Sequence, residues 1–331
     1  MSSVQVIGGG AWGLALARRL ALNGHSVVLW RRPGPPLEAL RLYREDPRLL
    51  PGVRLPETVE LRDDPIPDPD FVVYAVPSRG LREVAARWRF PVNTIRVSVT
   101  KGIEQETLFR MSEVILDAAS GGPVAALSGP SHAEEVGQDL PASVVAASGR
   151  EDVAEAVQQL FFAPVFRVYR SDDLVGVELG GAIKNVIAIA AGVCDGLGLG
   201  DSAKAGLMTR GLAEMVRLGT ACGANPITFA GLSGMGDLIV TCSSRHSRNR
   251  AVGEALGRGC NLSAYLSATP KVAEGIYAAP AVRDLAATHG VEMPIAARVH
   301  AILRRADRPT ESNLLRFADI VLDEQTHEVW R

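Results

Sequence analysis

Residues 177 to 192 read VELGGAIKNVIAIAAG, a small, apolar, helix-forming run interrupted by Lys184. A helical period puts Val177, Gly180, Lys184, Ala188 and Ala191 on roughly one face. Burying an unpaired ammonium is costly. Either Lys184 snorkels outward along its aliphatic stem, or it is a buried proton donor in an active site. The chain has 35 Lys+Arg, but its only lysines are Lys101, Lys184, Lys204 and Lys271. Arginine therefore serves wherever generic positive charge is enough. Arginine does not deprotonate in proteins, whereas a desolvated lysine can approach neutrality, so a retained lysine invites a proton-transfer reading.

A second stretch with chemical content is VIGGGAWGLALA near the N-terminus, which carries Gly8, Gly10 and Gly13 as GxGxxG. It follows one apolar run and opens a helical one. In that context the first glycine makes the turn, the second lets backbone approach a pyrophosphate, and the third packs helix on strand. The N–H groups of Ala11, Trp12 and Gly13 would face the phosphates. The next apolar run, HSVVLW, ends in Arg31 and Arg32, where NAD binders usually carry an acidic residue. Two arginines suit a 2′-phosphate, so NADPH is the expected cofactor, with NADH possible. A merely solvated arginine loop is the alternative.

These residues need a scaffold. The runs 4–8, 26–30, 71–76, 95–99, 124–128 and 143–147 read as buried parallel strands, with amphipathic helices between most of them. The helix WGLALARRLALNG should stop at Gly24. From about residue 172 the strand signal vanishes, and AGLMTRGLAEMVRLGTACG, RAVGEALGRG and PAVRDLAATHG read as helices. The fold class is α/β: a Rossmann-type, mostly parallel sheet over 1–171, then an all-helical domain over 172–331. A net charge of -2 argues against nucleic acid as a partner. Cysteines 194, 222, 242 and 260 form no CxxC pair, so neither a metal site nor a disulfide framework is expected, and reduced cytoplasmic thiols are the default. No apolar run makes a convincing membrane span; NVIAIAAGV comes nearest.

Taken together, the motifs GGGAWG, LPGVRLPET, AVPS, TKG, LSGPSHAEEV, RVYRSDDLVGVELGGAIKNVIAIAAG, TRGLAEM, GLSGMGDLIVTC, SRNRAVG, VAEG and VEMPI closely resemble the NAD(P)H-dependent glycerol-3-phosphate dehydrogenases of the bacterial type. The resemblance runs from residue 4 to about 303. It implies a Rossmann domain followed by a helical domain that binds substrate and carries the catalysis, a homodimer, and reversible reduction of dihydroxyacetone phosphate to sn-glycerol 3-phosphate for phospholipid synthesis. It implies that Lys184 transfers the proton, with Asp237 as its partner in the substrate site. Lys101, Gly129, Ser131, Ser247, Arg248 and Asn249 would contact substrate. Lys101, Ala133, Arg248, Val272 and Glu274 would contact cofactor, together with the glycine loop and Arg31 and Arg32.

From the residues alone, Asp237 is also readable as an exposed N-cap, Lys101 as a surface lysine, and Ser247 as an ordinary N-cap. His132 reads as a packing residue, Lys204 as one half of a salt bridge, and Cys194 and Cys242 as core. The tail ESNLLRFADIVLDEQTHEVWR reads as one amphipathic helix, a dimer or domain contact. The competing functions are another two-domain Rossmann dehydrogenase, of 3-hydroxyacid or ketopantoate type, and a non-catalytic NADPH sensor.

Overall fold

The computed structural model describes residues 1–119, 121–269 and 272–305. Lys271 and the expected tail helix lie outside the described residues. Two compact units emerge: Met1–Lys101 with Phe109–Val177, and Gly102–Leu108 with the chain from Glu178 onward.

The first unit is built on eight strands: β1 Ser3–Ile7, β2 Ser26–Trp30, β3 Val59–Arg62, β4 Phe71–Tyr74, β5 Ile95–Ser98, β6 Val124–Ser128, β7 Ala142–Ala147 and β8 Phe166–Ser171. Their order in the sheet is β3-β2-β1-β4-β5-β6-β7-β8. Strands β1 to β6 pair in parallel, which puts all their carboxyl ends, and the loops that follow, along one edge. The sequence reading made the run 143–147 one more parallel strand. Instead β7 lies antiparallel to β6 and parallel to β8. The connection over 129–141, which holds a short helix, is long enough for either sense, and a strand's buried apolar run carries no directional signal. Strands β3 and β8 were not anticipated. VELR and FRVYRS lie at the sheet's two edges, where charged residues interrupt the apolar run.

Helices α1 Ala11–Leu22, α2 Pro35–Tyr43, α3 Leu81–Arg87, α4 Met111–Ala118, α5 Ala133–Gly137 and α6 Glu151–Phe161 complete this unit. Strand alternation sends Val4, Val6 and Val73 into one core, with Leu14 and Leu16 of α1 and Val157 of α6. It sends Ile7, Val72 and Tyr74 into the other, with Leu81 of α3 and Met111 of α4. Helix α1 ends two residues before Gly24, whose φ of 83° supplies the left-handed exit.

The described part of the second unit is helical: α7 Leu174–Leu197, α8 Asp201–Ala221, α9 Asp237–Ser243, α10 Arg248–Gly257, α11 Leu262–Ala268, α12 Glu274–Thr288 and α13 Pro294–Arg305. The unit border falls in the first turn of α7. Helix α7 is long and apolar enough by composition to cross a membrane, but 89% of the qualifying window is buried inside the protein. It is a core helix. Helix α12 starts six residues before Pro280 and runs through it, whereas the sequence pattern favoured a start at that proline.

Close approach to α7 depends on absent side chains. A Cβ on Gly253 of α10 would lie 1.9 Å from Ile189 O, and one on Gly192 of α7 would lie 2.0 Å from Arg250 O. Backbone meets backbone where these two helices cross. Two glycines set four apart on each helix (Gly192 and Gly196, Gly253 and Gly257) line the contact.

Candidate active site

In the helical unit the site is organised around α7. A Cβ at Gly180 would lie 2.6 Å from Ser233 O, so the missing side chain lets α7 seat against the π-helical turn Leu232–Gly236. Asp237 follows that turn as the first residue of α9. One helical turn beyond Gly180, Lys184 Nζ donates to Asp237 Oδ1 at 2.5 Å and to Thr241 Oγ1 at 2.6 Å. The Thr241 hydroxyl donates in turn to Asp237 Oδ1 at 3.4 Å. All three are buried, with Lys184 5% and Asp237 1% exposed. Lys184 therefore does not snorkel, and Asp237 is not an exposed cap. Thr241 went unnoticed in the sequence, although it sits at i+4 from Asp237 in GDLIVTC, the spacing that stacks two side chains on one helix face.

The stretch SRNR opens α10 as expected, but its residues divide their work. Ser247 is the N-cap, and its Oγ accepts from Arg250 N at 3.2 Å. Its hydroxyl proton is left for another acceptor. Asn249 is buried and engaged at both ends: Nδ2 donates to Asn185 Oδ1 at 2.8 Å, and Oδ1 accepts from Gly275 N at 2.9 Å. That network ties α10 and α12 to the residue next to Lys184. Arg248 is exposed and makes no ion pair among the described residues. The backbone N–H groups of Arg248 and Asn249 precede the first helical bond, from Ala251 N to Ser247 O. Unpaired donors at a helix start, beside a free guanidinium, suit a dianion.

Lys204 lies in a structural ion-pair network. Its Nζ bridges both Asp195 oxygens at 2.9 Å, and Arg250 Nη1 reaches the same carboxylate at 2.5 Å. Cys194 and Cys242 are buried thiols, pushed up by burial to about 11 and about 12. Val272 and Glu274 are half-buried, just before and at the start of α12.

In the sheet unit the glycine loop follows β1. Gly8 has a φ of 121°, and a Cβ there would lie 2.3 Å from Ala75 O, just past β4. A Cβ on Gly13 would lie 1.8 Å from Gly8 O, whereas one on Gly10 would meet nothing within 4 Å. The loop is thus closed behind Gly8 and Gly13 and open in front of Gly10. Helix α1 begins there with no side-chain cap and no acidic residue in its first turn, so the N–H groups of Ala11 and Trp12 face an open cradle. A dinucleotide pyrophosphate fits this shape. Arg32 is exposed, while Arg31 lies folded over Gly9 and its Nη2 pairs with Asp46 Oδ2 at 2.9 Å.

Further along the sheet's carboxyl edge, Lys101 Nζ donates to Gly129 O at 3.0 Å, and Ser131 Oγ donates to the same oxygen at 3.1 Å. The fold brings these three together. Thr100, unnoticed in the sequence, anchors the lysine's loop by donating to Val76 O at 2.7 Å. Ala133 starts α5, and His132 is its N-cap position without a side-chain cap bond.

Two family descriptions match the chain: NAD-dependent glycerol-3-phosphate dehydrogenase N-terminus over residues 3–154, and the corresponding C-terminus over residues 173–313. The chain is 50% identical over 308 residues to glycerol-3-phosphate dehydrogenase (NAD(P)+) of Pelotomaculum thermopropionicum, covering 91% of this chain and 88% of that one. It is 46% identical over 335 residues to the enzyme of the same name from Chlorobium limicola, covering 99% of each. That alignment extends into the tail that the motif series left unmatched. The crystal structure of glycerol-3-phosphate dehydrogenase from Coxiella burnetii superposes with a TM-score of 0.90 at 35% identity, over 96% of this chain and 99% of that one.

Proposed function

The chain belongs to the NAD-dependent glycerol-3-phosphate dehydrogenase family, and we propose that Lys184 moves the proton as it reduces dihydroxyacetone phosphate to sn-glycerol 3-phosphate with NAD(P)H. The observation that carries this assignment is the buried contact of Lys184 Nζ with Asp237 and Thr241. Bound NAD(P)H supplies the hydride for the ketone carbon. Negative charge then develops on the ketone oxygen, and a cationic N–H aimed there both stabilises it and protonates it. In the oxidation direction the same nitrogen accepts the alcohol proton.

Asp237 and Thr241 fix the direction of the ammonium and compensate its burial. Arg248 and the start of α10 hold the substrate phosphate. That contact is remote from the reacting carbon, so its binding energy orients the ketone. Lys101 and Ser131 serve at the sheet's carboxyl edge as substrate and cofactor contacts, with Gly129 and Ala133 beside them. Val272 and Glu274 supply further cofactor contacts. The product is the backbone of glycerophospholipids. A reducing cytoplasm suits the four free thiols, and a homodimer is the assembly that the resemblance implies.

The test is oxidation of NADPH and NADH by the purified chain with dihydroxyacetone phosphate, 3-oxoacids and ketopantoate offered separately. Turnover restricted to the phosphorylated ketone is the expected result. Turnover of a carboxylate substrate at equal efficiency would overturn the substrate assignment.

A further inference from the structure

Arginine 31 carries an observation that its expected role does not explain. Its guanidinium is paired with a carboxylate, and both partners are desolvated, with side chains 13% exposed for Arg31 and 6% for Asp46. Asp46 is not free to follow the arginine elsewhere, because its Oδ1 accepts the backbone N–H groups of Arg48 at 3.2 Å and Leu49 at 3.3 Å. Pulling Arg31 away would leave this buried carboxylate with only the exposed Arg48 Nε, 4.0 Å from Oδ1, as counter-charge, which is unfavourable. The stem of Arg31 is also wedged over the glycine loop, since a Cβ on Gly9 would lie 2.7 Å from its Cδ. One donor of this fixed group, Nη1, is buried and finds no hydrogen-bond partner among the described residues. Arg32, next in the chain, is exposed and makes no ion pair among them.

A neutralised pair of which the arginine side chain keeps 13% exposure favours a neutral acceptor over a dianion, and the buried Nη1 is not the donor that such an acceptor meets. A ribose hydroxyl is an acceptor of that kind. A dianion gains most from a guanidinium whose charge is uncompensated. We propose that Asp46 is a specificity-determining residue: by neutralising and fixing Arg31 it limits that arginine to a ribose contact common to NADH and NADPH, and it leaves Arg32 alone to read the 2′-phosphate. This rests on the dinucleotide reading of the glycine loop. It gives the chain a moderate preference for NADPH that substitution at Asp46 can enlarge.

The test is calorimetric titration with adenosine 2′,5′-bisphosphate and with 5′-AMP, which differ only in the 2′-phosphate. It is run on the unmodified chain and on Asp46→Asn, Arg31→Ala, Arg32→Ala and the Asp46→Asn/Arg31→Ala double variant. Asparagine keeps an oxygen for the Arg48 and Leu49 N–H groups but loses the charge.

Charge-assisted bonds to a phosphate correspond to roughly tenfold or more in affinity. Asp46→Asn should therefore bind the bisphosphate about tenfold tighter and 5′-AMP within about twofold of the unmodified chain. Arg32→Ala should weaken the bisphosphate alone, and Arg31→Ala should weaken both probes by similar factors. The gain from Asp46→Asn should vanish in the double variant. The ratio of kcat/KM for NADPH over NADH should move in the same sense.

An unchanged bisphosphate-to-AMP ratio in a folded Asp46→Asn would overturn the proposal. So would a loss confined to the bisphosphate in Arg31→Ala, which decides the matter even if Asp46→Asn fails to fold. A chain that binds neither probe would overturn this proposal together with the dinucleotide reading. If the affinities shift as stated but dihydroxyacetone phosphate oxidises neither cofactor, the functional reading fails and this one stands.

Discussion

Lys184 and Thr241, 57 residues apart in the chain, meet at 2.6 Å between Nζ and Oγ1, and Asp237 one turn earlier on the threonine's helix takes a second N–H of the same ammonium. Two of the three ammonium donors are thus directed by one face of α9. The nitrogen is held by side chains whose own positions depend on the seating of α7 against residues 232–236.

Replacing Lys184 should abolish turnover while leaving the sheet unit's nucleotide binding intact. Acid–base groups typically contribute about a hundredfold to ten-thousandfold, so Lys184→Ala should lose at least that much in kcat. Lys184→Arg should be nearly as poor, because arginine keeps the charge but does not release its proton. Thr241→Val, which removes one directing bond worth about 1 kcal/mol, should cost roughly fivefold in kcat with little change in thermal stability. Steady-state kinetics beside calorimetric NADPH titration reads all three. Near-full activity in Lys184→Arg would remove the proton-transfer role.

Arg248 should read the phosphate. Arg248→Ala should raise KM for dihydroxyacetone phosphate strongly and lower kcat as well, since a loosened phosphate misplaces the ketone. Unphosphorylated dihydroxyacetone should be a very poor substrate for the unmodified enzyme and should lose much less from this change. Kinetics with both ketones on both proteins separate the cases. An equal proportional loss would move Arg248 to a structural or cofactor-side role.

The crossing of α7 and α10 should tolerate no side chain. In Gly253→Ala the new Cβ meets Ile189 O and Val193 N, so the helices must part. Overpacking of this kind costs about 1–3 kcal/mol, and it displaces the helix that starts with Ser247–Asn249. The expected result is a lower melting temperature and a raised KM for dihydroxyacetone phosphate. Gly206→Ala on α8 is the control, because its Cβ would meet nothing within 4 Å. It should hold or gain stability from helix propensity, up to about 1 kcal/mol. Equal effects of the two substitutions in scanning calorimetry and kinetics would contradict the close-approach argument.

Glu214 on α8 should make stability depend on pH. Its carboxyl is 1% exposed and accepts from Ile295 N at 2.6 Å and Ala296 N at 3.2 Å, at the start of α13. Desolvation pushes it up to about 7, partly offset by those two backbone bonds. Between its ordinary value of 4.5 and about 7 the folded chain holds a proton that the unfolded chain has released. Stability from this group is therefore greatest below pH 4.5 and falls as pH rises to about 7, by roughly 3 kcal/mol in all. Glu214→Gln removes the titration. The melting temperature of the unmodified chain relative to Glu214→Gln should thus fall by several degrees between pH 5 and pH 8. A constant difference across that range would show that the carboxyl titrates normally.

What the sequence determined by itself was local. Gly8 and Gly13 between a strand run and a helix run mark a tight strand-to-helix turn, because a Cβ at either would strike backbone, while Gly10 leaves the front of the loop open. A lysine kept within an apolar helix of an arginine-rich chain marked Lys184 before any contact was known. The buried central strands were legible because apolar runs bounded by turns have few other uses. Partnership was decided only in three dimensions. Nothing near Lys184 in the chain names Asp237 or Thr241. A Gly180 that lets two backbones close is what delivers them. Asn249 read as a substrate contact and is in part an internal tie between helices, since an amide's hydrogen bonds depend on what packs around it. Arg31 and Arg32 look alike in sequence, yet one is neutralised by Asp46 and the other is exposed. Spacing along a chain records which groups are available, whereas their charge state and direction follow from desolvation and from neighbours contributed by distant segments.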